Sequence, residues 1–568
     1  MIPRHMKSII SFAAALTVAC SLCHAQMPVV ERDDPNPSSD MAWEGMKDIR
    51  FGWGSVDSRY KKDEVPVLSK SLVLRGWRGE RVFAQAVLAT PVDVESFRVV
   101  ASDFKSGKNV IPSSAVSKYF VTYVIGEHVF QGDPVLSPDR LACQDGFKVA
   151  SRTVRPVWLD IRIPADAVPG KYKGTVTADC DGKVLQVPCV LEVGKRVLPE
   201  PSDWSFHLDL WQNPYAVARY FNVPLWSEEH FAKMRPIMEY LASCGEKVIT
   251  ASIFQHPWNS QTEDPFESMI GKFKGIDGSW KYDYTVFDRW VEFMMSCGIT
   301  EQIDCYSILP WHLTFEYFDA ALNCTRSEKM DPGSREYEEY QLPFLTDFAR
   351  HLREKGWFEK TCIAMDERPK DLLEHAYAIV HKADKDYRIE GAVNYYGPEV
   401  AERMYDISFA FREPLLTEQQ LSSHHAKGNK VTFYTCCNPQ RPNTFLDSPT
   451  AESVFLGWYA AAAGYDGYLR WAYNSWVKEP CVDGRFRTWR AGDCYLVYPD
   501  GPSIRSERLL EGIQDFEKIR IIREEGDPRK VALIDAQLSK FRDIDWDTFE
   551  DARTIALINE SKALLRSL

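Results

Sequence analysis

Past its first two dozen residues the chain has no apolar run approaching the roughly 20 residues a bilayer-spanning helix needs, so none is expected. It also lacks clustered Lys and Arg. With 68 basic and 81 acidic residues the formal net charge is -13, the wrong sign for a phosphate backbone, and no nucleic-acid partner is expected. No two cysteines after residue 25 stand two residues apart, which leaves no zinc-ribbon pattern. A Gly-rich phosphate loop, a zinc-protease helix and a nucleophile-elbow serine are likewise missing from any strand and helix context that suits them. These absences point away from a metal or organic cofactor. Cysteines such as Cys305 and Cys362 lie inside apolar runs and read as small buried hydrophobes.

What is present fits a large folded enzyme. The 568 residues are 45% hydrophobic and 26% charged, close to an average globular chain and long enough for two or three domains. Lys7, the apolar stretch Ile9 to Ala19 and Cys23-His24-Ala25 read as a secretory leader, initiated at Met6 and cut after Ala25. Export to the periplasm or the medium is the expectation. A lipoprotein tethered through Cys20 or Cys23 is the weaker alternative, because neither follows the usual Leu and small-residue pattern. Aromatic residues make up 13% of the chain, and their faces suit the apolar faces of sugars, although most will be core.

Two rhythms divide the mature chain. Between Leu72 and Val193 short alternating runs are broken by turn pairs such as Pro169-Gly170 and Asp181-Gly182, the pattern of an antiparallel sandwich. After a linker at Arg196 to Pro201, strand and helix signals alternate. The expected strands are Ser205 to Leu210, Lys247 to Ile253, Glu301 to Ile308, Lys360 to Met365, Arg388 to Val393, Asp406 to Ala410, Lys430 to Thr435 and Gly467 to Ala472. Eight strands interleaved with amphipathic helices are the arithmetic of a (β/α)8 barrel of the TIM type, whose active site lies at the carboxyl ends of the strands. The expected layout is therefore multidomain: a leader at 1–25, a β-sandwich over 26–200, a catalytic barrel over 201–500, and a helical segment over 501–568 packed on the barrel.

Asp366 and Glu367 stand together at the end of the fourth expected strand, just before Arg368-Pro369. Paired acids at such a place are the minimum equipment for cleaving a glycosidic bond. A plainer explanation is that they cap the helix starting near Lys370. Adjacent residues of a regular strand face opposite ways, so both acids serve one site only if the backbone turns between them. Asn394, Tyr395 and Tyr396 follow the fifth strand and either bind substrate or plug the barrel. His207 and Asp209 share one face of the first strand, and either reach sugar hydroxyls or form a structural pair at the bottom. Trp471 at the end of the eighth strand is the leading sugar platform, with Trp258 and Tyr434 next. Arg470 reads as a partner in an ion pair inside the barrel. Asp283, Asp288 and Asp304 read as scattered solvated or capping acids.

The segment Ala364-Met365-Asp366-Glu367-Arg368-Pro369 resembles the catalytic segment of glycoside hydrolase family 123. So does the stretch from Gly457-Trp458 through Gly464-Tyr465-Asp466-Gly467-Tyr468-Leu469-Arg470-Trp471, with Gly492-Asp493, Leu496-Val497-Tyr498-Pro499 and Pro502-Ser503-Ile504-Arg505. A looser likeness extends to Leu74-Arg75-Gly76-Trp77-Arg78-Gly79-Glu80 in the sandwich region. The resemblance implies a retaining β-N-acetylgalactosaminidase that acts on terminal β-linked sugar of glycans or glycolipids. It further implies that the substrate's 2-acetamido group is the nucleophile, oriented by Asp366, with Glu367 as general acid and then base. A glycosidase for another sugar with a direct carboxylate nucleophile, and a non-catalytic glycan-binding protein of an uptake system, are the competing classes. Spacing alone leaves the sugar's C4 configuration, the aglycone and the oligomeric state open.

Overall fold

The computed structural model describes residues 27–38, 41–394, 401–411, 416–542, 544–546 and 548–568. The expected leader and both Tyr395 and Tyr396 lie outside the described residues. The amino-terminal part is β-rich and has two sheets. One is five-stranded and antiparallel, centred on Arg81–Thr90 and Thr153–Arg162. The other is seven-stranded and departs from the expected all-antiparallel pattern, because Leu72–Arg78 runs parallel to Lys183–Val197. Between the sheets lies a core that includes Trp53, Phe97, Phe120, Val176 and Leu191.

The second part is a nearly closed, barrel-like sheet of eight parallel strands. In chain order they are β1 (His207–Leu210), β2 (Val248–Ser252), β3 (Gln302–Tyr306), β4 (Thr361–Met365), β5 (Arg388–Val393), β6 (Asp406–Ala410), β7 (Lys430–Tyr434) and β8 (Gly467–Arg470). Each falls within the run expected for it. Pairing is in the order β1-β8-β7-β6-β5-β4-β3-β2, which leaves β1 and β2 facing each other across a seam. One bridge, Leu208 to Glu246, spans that seam. Side chains do the rest: the Gln212 amide donates to Val248 O at 3.0 Å and accepts from Thr250 N at 2.9 Å, and Leu210 N donates to Glu246 Oε1 at 3.1 Å.

Strand alternation sorts the side chains. Along β4, Ile363 and Met365 join the large core under the outer helices, while Ala364 turns inward. The same period sends Asp209, Asp304, Glu390 and Ser408 inward, so the interior is polar below and aromatic above. Helix α1 (Pro214–Phe221) follows β1, and α2 (Glu228–Ser243) starts at Ser227, whose side chain accepts from His230 N. Helix α3 (Thr285–Ser296) precedes β3; Asp283 accepts from Thr285 N at 2.9 Å there, and Asp288 meets His351 Nε2 at 2.7 Å. Between β3 and β4 runs α4 (Arg335–Lys355), which ends at Gly356 with φ 72°. Helix α5 (Lys370–Ala383) leads from β4 to β5, and α6 (Glu418–Ala426) precedes β7.

Helix α7 (Thr450–Ala463) is buried along its whole length. It crosses α8 (Ile504–Glu524) so closely that a Cβ on Gly457 would lie 2.2 Å from Gly512 O. Helices α9 (Pro528–Arg542) and α10 (Asp551–Ser567) complete the chain. Polar and charged residues of α8 are buried against the β-rich part: Arg81 bonds Glu507 at 2.9 Å, and Lys518 pairs with Glu80. Among the described residues no helix is long and apolar enough to cross a membrane.

Candidate active site

The upper end of the sheet is a basin of aromatic rings. Trp211, just past β1, stacks on Trp258 with centroids 4.9 Å apart and an interplanar angle of 29°. Tyr306, the last residue of β3, closes the group at 4.5 Å from Trp211 and 4.9 Å from Trp258. Phe266 meets Trp258 edge-on at 4.7 Å. Offset and edge-on contacts of this kind are favourable, and they hold the floor rigid. Trp258, 5% exposed, is therefore mostly committed to its neighbours.

Asp366 and Glu367 rise from the end of β4 at the rim of this basin. Asp366 continues the inward period of Cys362 and Ala364, and Oδ2 accepts from the indole Nε1 of Trp311 at 2.9 Å. Glu367 turns elsewhere: Oε1 accepts from the Tyr434 hydroxyl at the end of β7, and Oε2 from Asn394 Nδ2 after β5 at 3.3 Å. The backbone thus turns between the two acids. Helix α5 begins behind Pro369, which makes no side-chain cap bond, and the carboxylates' described partners are Trp311, Tyr434, Asn394 and the Glu367 backbone, all outside the helix. The helix-cap explanation of the pair fails for that reason.

Electrostatics bears on Asp366 and on Tyr434. Burial pushes the Asp366 carboxyl up to about 6, the adjacent Glu367 charge adds to the rise, and the Trp311 bond opposes it. Burial and the Glu367 charge raise the Tyr434 phenol, so this residue stays a hydrogen-bond donor across the working pH range. Arg368 places its guanidinium 5.4 Å from the Trp311 ring centroid, a cation–π contact that packs against the indole.

Trp471 lies at the opposite rim, partly exposed, with its Nε1 donating to Asp493 Oδ1 at 3.0 Å. Arg470 holds the same Asp493 oxygen at 2.8 Å, the interior ion pair expected of it. Cys436 and Cys437 follow Tyr434 by two and three residues, with Sγ atoms 3.9 Å apart.

The structure brings Asp366, Glu367, Asn394, Tyr434, Trp258 and Trp471 to one end of the sheet. It does not bring His207 and Asp209 there. His207 Nε2 lies 2.7 Å from Asp406 Oδ2 in the lowest layer, and Asp209 sits beneath Trp211, whose Nε1 donates to Oδ2 at 3.3 Å. With 3% and 2% exposure they underpin the floor and do not face sugar hydroxyls, which corrects the first of their two readings. Asp304, read as a solvated or capping acid, is fully buried in the same interior. Three residues at the site escaped sequence reasoning. Trp211 and Tyr306 extend the inward faces of β1 and β3, and counting each strand's period one step further finds both. Trp311 has no periodic signal, only its place in a loop after a strand's carboxyl end.

Comparison with known proteins agrees over most of the chain. The profile "Glycoside hydrolase 123, catalytic domain" matches residues 211–522, and "Glycoside hydrolase 123 N-terminal domain" matches residues 53–179. Among solved structures, a family 123 glycoside hydrolase from Clostridium perfringens, described for glycolipid glycan hydrolysis, has a TM-score of 0.84 and 25% identity. That alignment covers 91% of this chain and 98% of the other. A family 20 exo-β-N-acetylglucosaminidase from Vibrio harveyi aligns with a TM-score of 0.21 and 11% identity over 69% of this chain and 82% of its own. A putative α-galactosidase from Bacteroides fragilis gives 0.25 and 10% over 78% and 77%. No curated protein matches the chain.

Proposed function

The chain belongs to glycoside hydrolase family 123, and we propose that it is an exo-acting, retaining β-N-acetylgalactosaminidase that releases terminal β-linked N-acetylgalactosamine from glycans or glycolipids. The nucleophile in this reading is the substrate's own 2-acetamido oxygen. Asp366 orients the acetamido N–H and stabilises the oxazolinium-like cation. Glu367 protonates the leaving oxygen and then activates the water that opens the ring.

One observation carries the reading: neighbouring acids on one strand end are held by separate partners, Asp366 by Trp311 and Glu367 by Tyr434 with Asn394. A direct double displacement needs its two carboxyls about 5 to 5.5 Å apart across the scissile bond, on opposite sides of the anomeric carbon. Residues adjacent in sequence suit that poorly. They suit a division in which one acid attends the C2 substituent and the other the glycosidic oxygen on the same rim. Trp471, its indole tied to Asp493, is the platform under the apolar sugar face. The glycolipid substrate is supported by the description of the Clostridium perfringens relative. A groove of about 480 Å3 lined in part by His256, Pro310 and His312, residues close in sequence to Trp258 and Trp311, offers room for the aglycone. We read the parallel sheet as a (β/α)8 barrel preceded by a β-sandwich, and residues 1–25 as a leader that directs export.

Aryl β-N-acetylgalactosaminide, its glucosaminide epimer and an aryl β-galactoside lacking the acetamido group test the proposal together. Turnover of the first, with retained configuration and little or none of the last, is the expected result. Efficient hydrolysis of the galactoside would mean a carboxylate nucleophile, and failure to turn over all three would mean a binding protein.

A further inference from the structure

Inside the sheet, directly under the aromatic floor, three acids from alternate strands meet: Asp209 of β1, Asp304 of β3 and Glu390 of β5. Each offers a carboxylate oxygen, and these oxygens all lie within 4.8 Å of one another. The residues are at most 2% exposed. Alternate strands supply single layers of side chains in barrels of this kind, which explains how residues so far apart in sequence become neighbours.

Each acid has already spent part of its capacity on the site above or beside it. Asp209 Oδ2 accepts from Trp211 Nε1 at 3.3 Å, and Glu390 Oε2 from the Tyr306 hydroxyl at 2.9 Å. Asp304 accepts from Gln302 Nε2 at 3.0 and 3.2 Å. The second oxygens of Asp209 and Glu390, Oδ1 and Oε1, are fully buried and have no hydrogen-bond partner among the described residues. The Ser408 hydroxyl, on the inward face of the neighbouring strand β6, is also buried without one. His207, the nearest basic group on β1, is engaged by Asp406, which also takes a bond from Gln302 at 2.8 Å. Among the described residues no Lys, Arg or His forms an ion pair with any of the three acids.

We propose that Asp209, Asp304 and Glu390 bind a hard divalent cation, Ca2+ or Mg2+, as a structural ion beneath the active-site floor. The donor set is oxygen only, which selects hard cations over zinc or copper. Buried carboxylates need compensation, and a cation satisfies the orphan oxygens of Asp209 and Glu390 together while neutralising acids that have no ion-pair partner among the described residues. Its place is mechanical. Trp211 and Tyr306 hang from two of its ligands, so the ion stiffens the buried aromatic layer beneath the catalytic acids.

The test uses the full-length protein, purified without chelator. Metal content is measured by inductively coupled plasma mass spectrometry, and thermal midpoints are recorded after dialysis against EDTA and after adding Ca2+ or Mg2+ alone. About one equivalent of one of these ions per chain is expected. Its return after chelation should raise the midpoint by several degrees. Both effects should vanish in Asp304→Asn and Glu390→Gln. Absence of stoichiometric Ca2+ or Mg2+ in the wild-type protein, with no midpoint response to either, overturns the proposal. So does a stoichiometric ion that survives both substitutions, because it would lie elsewhere. If the acids share protons instead, Glu390→Gln would be as stable as the parent or more so. Should the variants fail to fold, the wild-type metal content decides. None of these readouts depends on the sugar that the enzyme cleaves.

Discussion

Trp311 donates its indole N–H to Asp366 Oδ2 across 2.9 Å, tying the loop after β3 to the acid that ends β4. Burial has already pushed that carboxyl up to about 6, and the indole bond is the main influence holding it down. If ionised Asp366 is the form that steers the acetamido group, activity should fall as pH drops through about 6. Trp311→Phe keeps the ring and removes the donor, which favours the protonated acid. A bond to a charged group contributes about 1.5 to 3 kcal/mol, so the acid limb of kcat/KM should move up by roughly one to two pH units. An unmoved limb would mean that another group sets it.

Asp366→Asn separates chemistry from stability. Because burial raises the folded carboxyl's pKa above its unfolded value, the native state holds the proton more tightly, and stability falls as pH rises from about 4 to about 6. By neutral pH the full cost of the buried charge is present, and asparagine removes it. Turnover should drop by roughly a thousandfold or more. At the same time the thermal midpoint at pH 7 should rise, by an amount equivalent to about 1 to 3 kcal/mol. If the acetamido oxygen is the nucleophile as proposed, azide should not restore activity.

Tyr434 and Asn394 grip opposite oxygens of Glu367. Tyr434→Phe removes one grip without emptying the site. On substrates with poor leaving groups kcat should fall about 10- to 100-fold, because a misplaced acid loses its proton-transfer geometry. Activated aryl substrates need less protonation and should suffer less. Glu367→Gln should show the same ranking with a larger loss, about 100- to 10,000-fold. Equal losses on both substrate types would assign the tyrosine to something other than holding the acid.

These residues differ in how far their neighbours in sequence reveal them. The eight strands are visible because each is a short apolar run between helical periods, and β4 announces Asp366 and Glu367 by ending on them. Period two also puts His207 and Asp209 on an inward face. It says nothing about height, and height decides between touching substrate and lying beneath Trp211. Asp304 reads as an isolated acid because its layer-mates stand on β1 and β5, and only closure of the sheet unites them. The parallel pairing in the β-rich part is hidden for a similar reason: Arg75 and Glu192, bonded at 2.7 Å, are 117 positions apart. Local pattern reports which way a side chain points, whereas the partner it meets is set by topology.

Arg81 shows how much of the fold depends on such distant meetings. Its Nη2 reaches Asp160 Oδ2 at 2.8 Å and Glu507 Oε1 at 2.9 Å, joining the β-rich part to α8. All three side chains are buried. Arg81→Met preserves much of the volume but takes the guanidinium from two buried carboxylates, leaving, among the described residues, Glu507 only the Tyr240 hydroxyl and Asp160 only Arg162 at 3.8 Å, a change that costs up to about 3 to 5 kcal/mol. Denaturant unfolding should report that loss, while kcat/KM at low temperature should stay near the parent value because Arg81 is remote from Asp366. A loss below about 1 kcal/mol would show that water or protonation relieves the stranded acids.

Trp471 offers the sharpest test of the sugar platform, because its ring and its N–H have separable duties. The ring is partly exposed at the rim, and the N–H is fixed to Asp493 Oδ1 at 3.0 Å, an oxygen that Arg470 also holds at 2.8 Å. Trp471→Ala removes the apolar surface and should raise KM about 10- to 100-fold, the equivalent of losing one well-buried aromatic contact. Trp471→Phe retains a face of similar character, and Asp493 keeps its arginine, so the increase should be about tenfold at most. Asp493→Asn leaves an acceptor oxygen for the indole but breaks the charge pair with buried Arg470, and therefore should harm stability more than KM. If the alanine variant lowers kcat and leaves KM unchanged, the indole is acting on the transition state, and the platform must be sought among Trp258 and its stacked partners.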